Sequence, residues 1–385
     1  MTTSAERLRV AVLGYIVRGP LGGLAWHHLQ YVLGLSRLGH DVYFVEDSGA
    51  YPACYDPSRD TTDTDPTYGL RFADRLFGDL GLGDRWAYHD AHTGRWFGPC
   101  VDRIPTVCRT ADLVLNLSAV NPLTSGLIAV PARALVDTDP VFTQIRHLTD
   151  PEARRLAEQH TTLFSFGENT AALPDDGFRW RPTRQPVVLD AWRVTPGPVA
   201  GRFTSVLQWD SYPPVHHDGM RYGMKADSFA PYLDLPEQAE AVLEVAVGSP
   251  TAPRELLGRN GWLLRDPLEV TRDPWTYQRY LRASKAEFGV AKHGYVAAGC
   301  GWFSERSAAY LASGRPVLVQ DTGFSAWLPP GQGVLSFSTP EEAVAGIAEI
   351  VGRYSLHCAA GRAVAHEFFD SRTVLPKLLD VALQP

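Results

Sequence analysis

The run Leu8-Arg-Val-Ala-Val-Leu-Gly-Tyr-Ile-Val17, followed by Arg18-Gly-Pro-Leu-Gly-Gly23, decides the fold class of this chain. The first ten residues are apolar and rich in β-branched side chains, the composition of a buried strand. A helical pattern occupies 24–38, Gly39-His40 ends it, and a second strand is expected at 41–46. Two apolar strands joined through a helix by short connections make a βαβ unit, and such units build parallel sheets covered on both faces.

Outward from this unit, strands are expected at 112–117, 133–137 and 163–167, with an Arg- and Glu-rich helix at 151–160. The first half therefore reads as one α/β domain. The segment 56–65, Asp-Pro-Ser-Arg-Asp-Thr-Thr-Asp-Thr-Asp, reads as a polar, mobile loop. A stretch rich in Pro, Arg and Trp, 179–202, contains Arg181-Pro-Thr-Arg-Gln-Pro186 and Pro196-Gly-Pro198 and suits an extended crossing. The expected division is 1–195 and 196–385, with the last helix packing back on the first domain. Alternation then resumes, with strands at 203–209, 241–247, 287–292, 316–320 and 334–337, and helices at 236–241, 275–284, 304–313 and 340–354. The second half is a domain of the same kind.

A length of 385 residues fits two such domains at roughly 150 residues or more each, and 45% hydrophobic with 21% charged residues fits a folded globular protein. A net charge of -7 gives no field that would draw in a phosphate polymer, so nucleic acid is not expected as a partner. Five widely spaced cysteines without a Cys-x-x-Cys pair read as reduced thiols, neither a disulfide framework nor a zinc site. The polar start carries no signal-peptide core and no run approaches 18 apolar residues, so a cytoplasmic protein without an integral membrane segment is expected.

Chemistry-bearing residues gather where loops leave the expected strands. Gly22 and Gly23 stand between the first strand and helix, where backbone N–H groups can approach a ligand or simply turn tightly, and His27 and His28 lie one turn further on. The dinucleotide fingerprint Gly-x-Gly-x-x-Gly is missing there, which disfavours a nicotinamide enzyme. Only four of the 36 basic residues are lysines, Lys225, Lys285, Lys292 and Lys377, so each matters. Lys225 and Arg221 follow a strand end among glycines, a pairing suited to a diphosphate or to a solvated loop. Lys292 and His293 end another strand. Ser304, Glu305, Arg306 and Ser307 open a well-capped helix entered from a Gly-rich loop, a ready anion site or an ordinary helix. Asp137-Thr-Asp139 follows the strand at 133–137, where a carboxylate serves as a base or a hydroxyl ligand; no metal site is assigned to it or to Asp63-Thr-Asp65.

The N-terminal run Gly22 to Val42 resembles the first βα unit of GT-B glycosyltransferases, whose two Rossmann-like domains face each other across a cleft. Phe303-Ser-Glu-Arg-Ser-Ala-Ala-Tyr-Leu-Ala-Ser-Gly-Arg-Pro-Val-Leu318, then Gln320-Asp-Thr-Gly323, resembles the donor-site region of the group 1 and CgeB-like members. The resemblance implies a metal- and cofactor-independent transfer of sugar from a nucleoside diphosphate sugar to an acceptor hydroxyl. It places Gly22, Gly23, Arg221, Lys225, Lys292, His293, Ser304, Glu305, Arg306, Ser307, Asp321, Thr322 and Gly323 around the donor, and makes Asp137, Asp139 or His28 the candidate base. Retaining members carry a Glu pair where this chain has Gly301 and Ala309. High arginine, alanine and glycine suggest a secondary-metabolite acceptor, with a glycan as the other class, and a monomer or homodimer is expected. A sugar-nucleotide epimerase and a non-catalytic nucleotide- or glycan-binding member are the alternatives.

Overall fold

A computed structural model describes residues 7–198, 200–239 and 241–384; the first six residues of the polar start lie outside them. Two parallel sheets organise the chain. In spatial order the first runs Trp180–Pro182, Thr162–Ser165, Ala132–Asp137, Leu113–Leu117, Arg9–Leu13, Asp41–Asp47, Trp86–Asp90 and Arg95–Phe97, the last pairing antiparallel. The second runs Leu263–Arg265, Leu243–Gly248, Phe203–Gln208, Ala286–Gly289, Val317–Gln320 and Val334–Phe337. In each sheet the strand that comes first in sequence lies inside, with the chain winding outward on both sides of it. The crevice at such a switch point, beyond the carboxyl ends of the strands, is where doubly wound sheets carry ligands.

The central strands are continuous apolar runs because helices cover both faces: Val10, Ala11 and Val12 are fully buried, as are Leu113, Val114 and Leu115. The helix Gly22–Arg37 is buried almost all round, so its sequence lacks a polar stripe. It is wedged between the first sheet and two helices from the second half of the chain, Pro274–Ala283 and Ser371–Ala382. Trp26 Nε1 donates to the Pro274 carbonyl at 3.0 Å, and Gly34 lets Ser371 and Leu375 approach closely.

Several expectations shift. The segment 56–65 is part of an ordered hairpin, Cys54–Asp56 with Thr61–Asp63, closed by Tyr55 Oη donating to Asp60 at 2.8 Å and by an Arg59–Asp56 ion pair. The helix expected at 340–354 stops at Gly352, and two further helices follow, Tyr354–Phe369 and Ser371–Ala382. The strand expected at 287–292 ends at Gly289, which frees Val290 to Lys292 to leave the sheet edge. The crossing is extended: Val187 bridges to Asp370, and the buried Arg315 guanidinium donates to the carbonyls of Thr195, Pro196 and Arg282.

Candidate active site

The carboxyl ends of Ala286–Gly289 and Val317–Gln320 open on a pocket of about 260 Å³ lined by Gly289, Trp302, Ser304, Arg306, Ser307 and Gln320. The helix Glu305–Ala312 starts there because Ser304 caps it, its Oγ accepting the Arg306 N–H at 3.2 Å. Arg306 Nε donates to Glu287 Oε1 at 2.6 Å and Nη1 to the Val206 carbonyl at 2.7 Å. Burial works against the Arg306 cation, but Glu287, with Tyr277 and Tyr310 behind it, more than offsets it and holds the guanidinium protonated. Ser307 Oγ, on a residue that lines the pocket, is buried without a hydrogen-bond partner among the described residues, as is Glu287 Oε2. Such atoms mark a place where water or ligand completes the bonding.

Lys225 begins the short helix Lys225–Phe229, and among the described residues no carboxylate pairs with it at ion-pair distance. Burial lowers its ammonium to about 7, and the charges of Arg306 and Lys292 push in the same direction. His293 N–H donates to the Met224 carbonyl at 3.2 Å and Gly294 N–H to that of Gly223 at 3.0 Å, which brings Lys292 beside Lys225. His293 itself is engaged, its Nδ1 accepting the Gly223 N–H at 3.3 Å. Arg221 lies on the hairpin Val215–His217 with Met220–Tyr222 and pairs with Asp227 at 2.9 Å, with 44% of its side chain exposed.

Across the cleft, Asp139 follows the strand Ala132–Asp137 of the first sheet. Its Oδ1 accepts from Lys292 Nζ at 2.8 Å and from Tyr295 Oη, and its Oδ2 accepts from Tyr212 Oη. Lys292 Nζ also donates to Tyr212 Oη at 2.8 Å and lies 5.0, 4.5 and 5.5 Å from the ring centres of Phe142, Tyr212 and Tyr295. Asp139 and Phe142 belong to the first sheet's side, the other three to the second's. The structure thus gathers Asp139, Lys225, Lys292, Ser304, Arg306 and Ser307 around one crevice. Glu305 faces it too, since its charge bears on Tyr15, His27 and Tyr31 of the other side as well as on Lys225.

Other candidates are committed elsewhere. Asp137 is buried and accepts four hydrogen bonds, from Asp139 N–H, Thr143 Oγ1, Gln144 Nε2 and Ser165 Oγ. Burial raises its carboxyl while these donors pull it down; it braces the turn that presents Asp139. His28 is fully buried, with Nδ1 at 2.8 Å from the Leu24 carbonyl and Nε2 accepting the Tyr15 N–H at 3.2 Å. Desolvation keeps it neutral, and neither ring nitrogen is left to take a proton. Gly22 and Gly23 face Tyr277 and Asp273, and a β-carbon at Gly22 would overlap the Asp273 carbonyl group. The glycines are there for domain contact. Asp321 accepts Gly323 N–H at 2.8 Å and Ser325 Oγ at 2.7 Å, while the Thr322 carbonyl accepts Gly301 N–H at 2.8 Å. That turn braces the Gly299–Trp302 loop. Gly301 has φ +77°, and its missing β-carbon would lie 3.0 Å from Asn169 N, so no Glu fits; Ala309 is buried inside its helix.

Sequence reading missed Glu287, Tyr212 and Tyr295. A charged residue inside the run Ala286-Glu-Phe-Gly-Val-Ala was the available signal for Glu287; the tyrosines carried none. It also missed Glu46, fully buried at the end of Asp41–Asp47. Its oxygens accept the N–H groups of Ile16 and Val17 at 2.7 Å and of Arg18 at 2.8 Å, fixing the loop between the first strand and helix. Burial raises its carboxyl to about 7 against Arg18 and these three donors. Among the described residues no group of three or more His, Cys, Asp and Glu converges on a metal position, and no helix is long and apolar enough to cross a membrane.

No protein-family model and no curated protein matches the chain. Solved structures do match it over nearly the whole length. AviGT4, a glycosyltransferase involved in avilamycin A biosynthesis, is 15% identical with 97% of each chain covered and a TM-score of 0.55. An alpha-glucosyltransferase in complex with UDP and a 13-mer DNA is 11% identical, covering 98% of this chain and 100% of its own at TM-score 0.60. Anabaena Alr3699/HepE, in complex with UDP and glucose, is 11% identical, covering 97% and 99% at TM-score 0.56. At these identities the likeness is one of fold, and the fold of this chain is GT-B.

Proposed function

We propose that this chain is a glycosyltransferase that moves a sugar from a nucleoside diphosphate sugar to a hydroxyl of a small-molecule acceptor. The observation that carries the reading is the convergence of Lys225, Arg306 and Lys292 at the edge of the second sheet, opposite a carboxylate on the first. Of these cations Lys225 has no carboxylate at ion-pair distance among the described residues, while Lys292 and Arg306 each have one, so Lys225 is placed to take a diphosphate. In the transfer, the acceptor oxygen bonds to the anomeric carbon while its proton passes to Asp139. The bond from that carbon to the diphosphate breaks, and the electron pair leaves with the phosphate, stabilised by Lys225 and Arg306. The fold shared with AviGT4, HepE and the alpha-glucosyltransferase supports a nucleotide-sugar donor, and the first of these supports a natural-product acceptor.

The test is a melting series with UDP, GDP, ADP, dTDP and CMP, with and without divalent metal, followed by turnover with the matching sugar nucleotides. A ligand at about a hundred times its Kd adds roughly 2.7 kcal/mol, a resolvable shift. One nucleoside diphosphate should raise the melting temperature without metal, and its sugar conjugate should be consumed only with an acceptor. Consumption without acceptor would indicate epimerisation, and silence across the panel would remove the donor site.

A further inference from the structure

The oxygen of the base candidate that faces Lys292 is fully occupied in the free protein. Asp139 accepts three hydrogen bonds from the other side of the cleft, one of them from an ammonium 2.8 Å away. Both lone pairs of Oδ1 are thereby taken, so an acceptor hydroxyl reaches that oxygen only by replacing a donor already on it. Arg306, by contrast, is locked in place by Glu287 and the Val206 carbonyl. Lys292 hangs from a flexible stem whose backbone is stitched to the segment preceding Lys225, so its ammonium can reach either Asp139 or an anion bound at Lys225.

We infer that Lys292 exchanges partners when the donor binds: its ammonium leaves Asp139 for the diphosphate, and the acceptor hydroxyl takes the position it vacates. Both groups are donors, so a hydroxyl can replace the ammonium on Asp139 Oδ1 while Tyr212 and Tyr295 continue to orient the carboxylate. The exchange opens Asp139 Oδ1 to the acceptor hydroxyl only after the donor is in place. It also ties domain contact to ligand state, because the Lys292–Asp139 pair joins the two sheets. The inference rests on the diphosphate reading given above.

Two measurements test it. Titrations with UDP, GDP, ADP and dTDP compare the wild-type chain with Asp139→Asn, Lys292→Met and the double variant. Asp139→Asn should bind the preferred nucleotide about tenfold more tightly while losing turnover, because Lys292 no longer has to leave a carboxylate. Lys292→Met should bind at least tenfold more weakly, and the double variant should match Lys292→Met. Binding by Asp139→Asn equal to or weaker than wild type, or additive effects in the double variant, would overturn the exchange. If no nucleotide binds the wild-type chain, the donor reading itself falls and takes the exchange with it.

The second measurement needs no variant. A carbodiimide should join Lys292 to Asp139 directly in the free protein, and saturating nucleotide should lower the yield of that linked peptide several-fold in mass spectra. No link in the free protein, or an undiminished link with nucleotide bound, would overturn the proposal.

Discussion

Lys225 is the residue whose environment says most about the site, because its ammonium is held at about 7 by burial first and by two neighbouring cations second. A bound diphosphate would restore the proton, so above pH 7 binding must take one up. Nucleotide affinity should then fall about tenfold per pH unit between pH 7 and 9, a slope titration calorimetry can read; a flat profile would place the phosphates elsewhere. The sign for stability is the opposite. Between about 7 and the ordinary lysine range the unfolded chain binds the proton that the folded chain has lost, so the free protein gains stability as pH rises through this window. Removing the cation altogether, Lys225→Ala, should lower turnover by about 100- to 1000-fold, the scale of one transition-state charge contact, with the melting temperature held or raised. Near wild-type turnover would take Lys225 out of the site. This candidate stood out in the sequence because lysine is so scarce in the chain. Tyr212 and Tyr295 were not, since nothing local distinguishes a tyrosine that caps a carboxylate from one that fills a core.

The loop Gly14–Leu21 shows what an element owes to a distant side chain. Its amides at Ile16, Val17 and Arg18 find no strand or helix partner and turn instead to Glu46, at the far end of the next strand. Glu46→Gln keeps the shape but replaces one acceptor oxygen by a donor, setting N–H against N–H at Arg18. It should cost about 1–3 kcal/mol, the penalty of a buried unmet donor. Hydrogen exchange at Ile16–Arg18 should quicken while the central strands stay protected; uniform protection would show that the loop holds without Glu46. Elements of this kind explain which parts of the fold the sequence disclosed. Central strands such as Arg9–Leu13 and Leu113–Leu117 were readable because both faces are buried and the run is apolar but for Arg9 and Asn116. The hairpins Cys54–Asp56 with Thr61–Asp63 and Val215–His217 with Met220–Tyr222 were not, because their strands are three residues long and carry polar side chains.

At the scale of the molecule the two halves of the chain are joined by main chain as well as by side chains. Asn169 N–H donates to the Cys300 carbonyl at 3.0 Å, Asn169 Nδ2 to that of Gly299 at 3.1 Å, and Trp26 to that of Pro274. The helix Ser371–Ala382 lies against Gly22–Arg37, so the end of the chain shares the first sheet's packing. Gly22 is a close backbone contact between the two halves: a β-carbon there would overlap the Asp273 carbonyl, with that residue's carbonyl carbon at 2.7 Å and Tyr277 Cβ at 2.9 Å. Both sides are backbone or backbone-proximal atoms, and Asp273 caps the helix Pro274–Ala283, so neither can rotate away. Gly22→Ala must therefore wedge the domains apart, at about 1–3 kcal/mol of overpacking. Small-angle scattering should show a larger radius of gyration, and turnover should drop at least tenfold as Asp139 is drawn away from Lys225 and Lys292. Nucleotide affinity should change much less, because the cations proposed to meet the diphosphate all belong to the second sheet's side. Unchanged turnover in Gly22→Ala would mean that the chemistry does not need the two sheets this close.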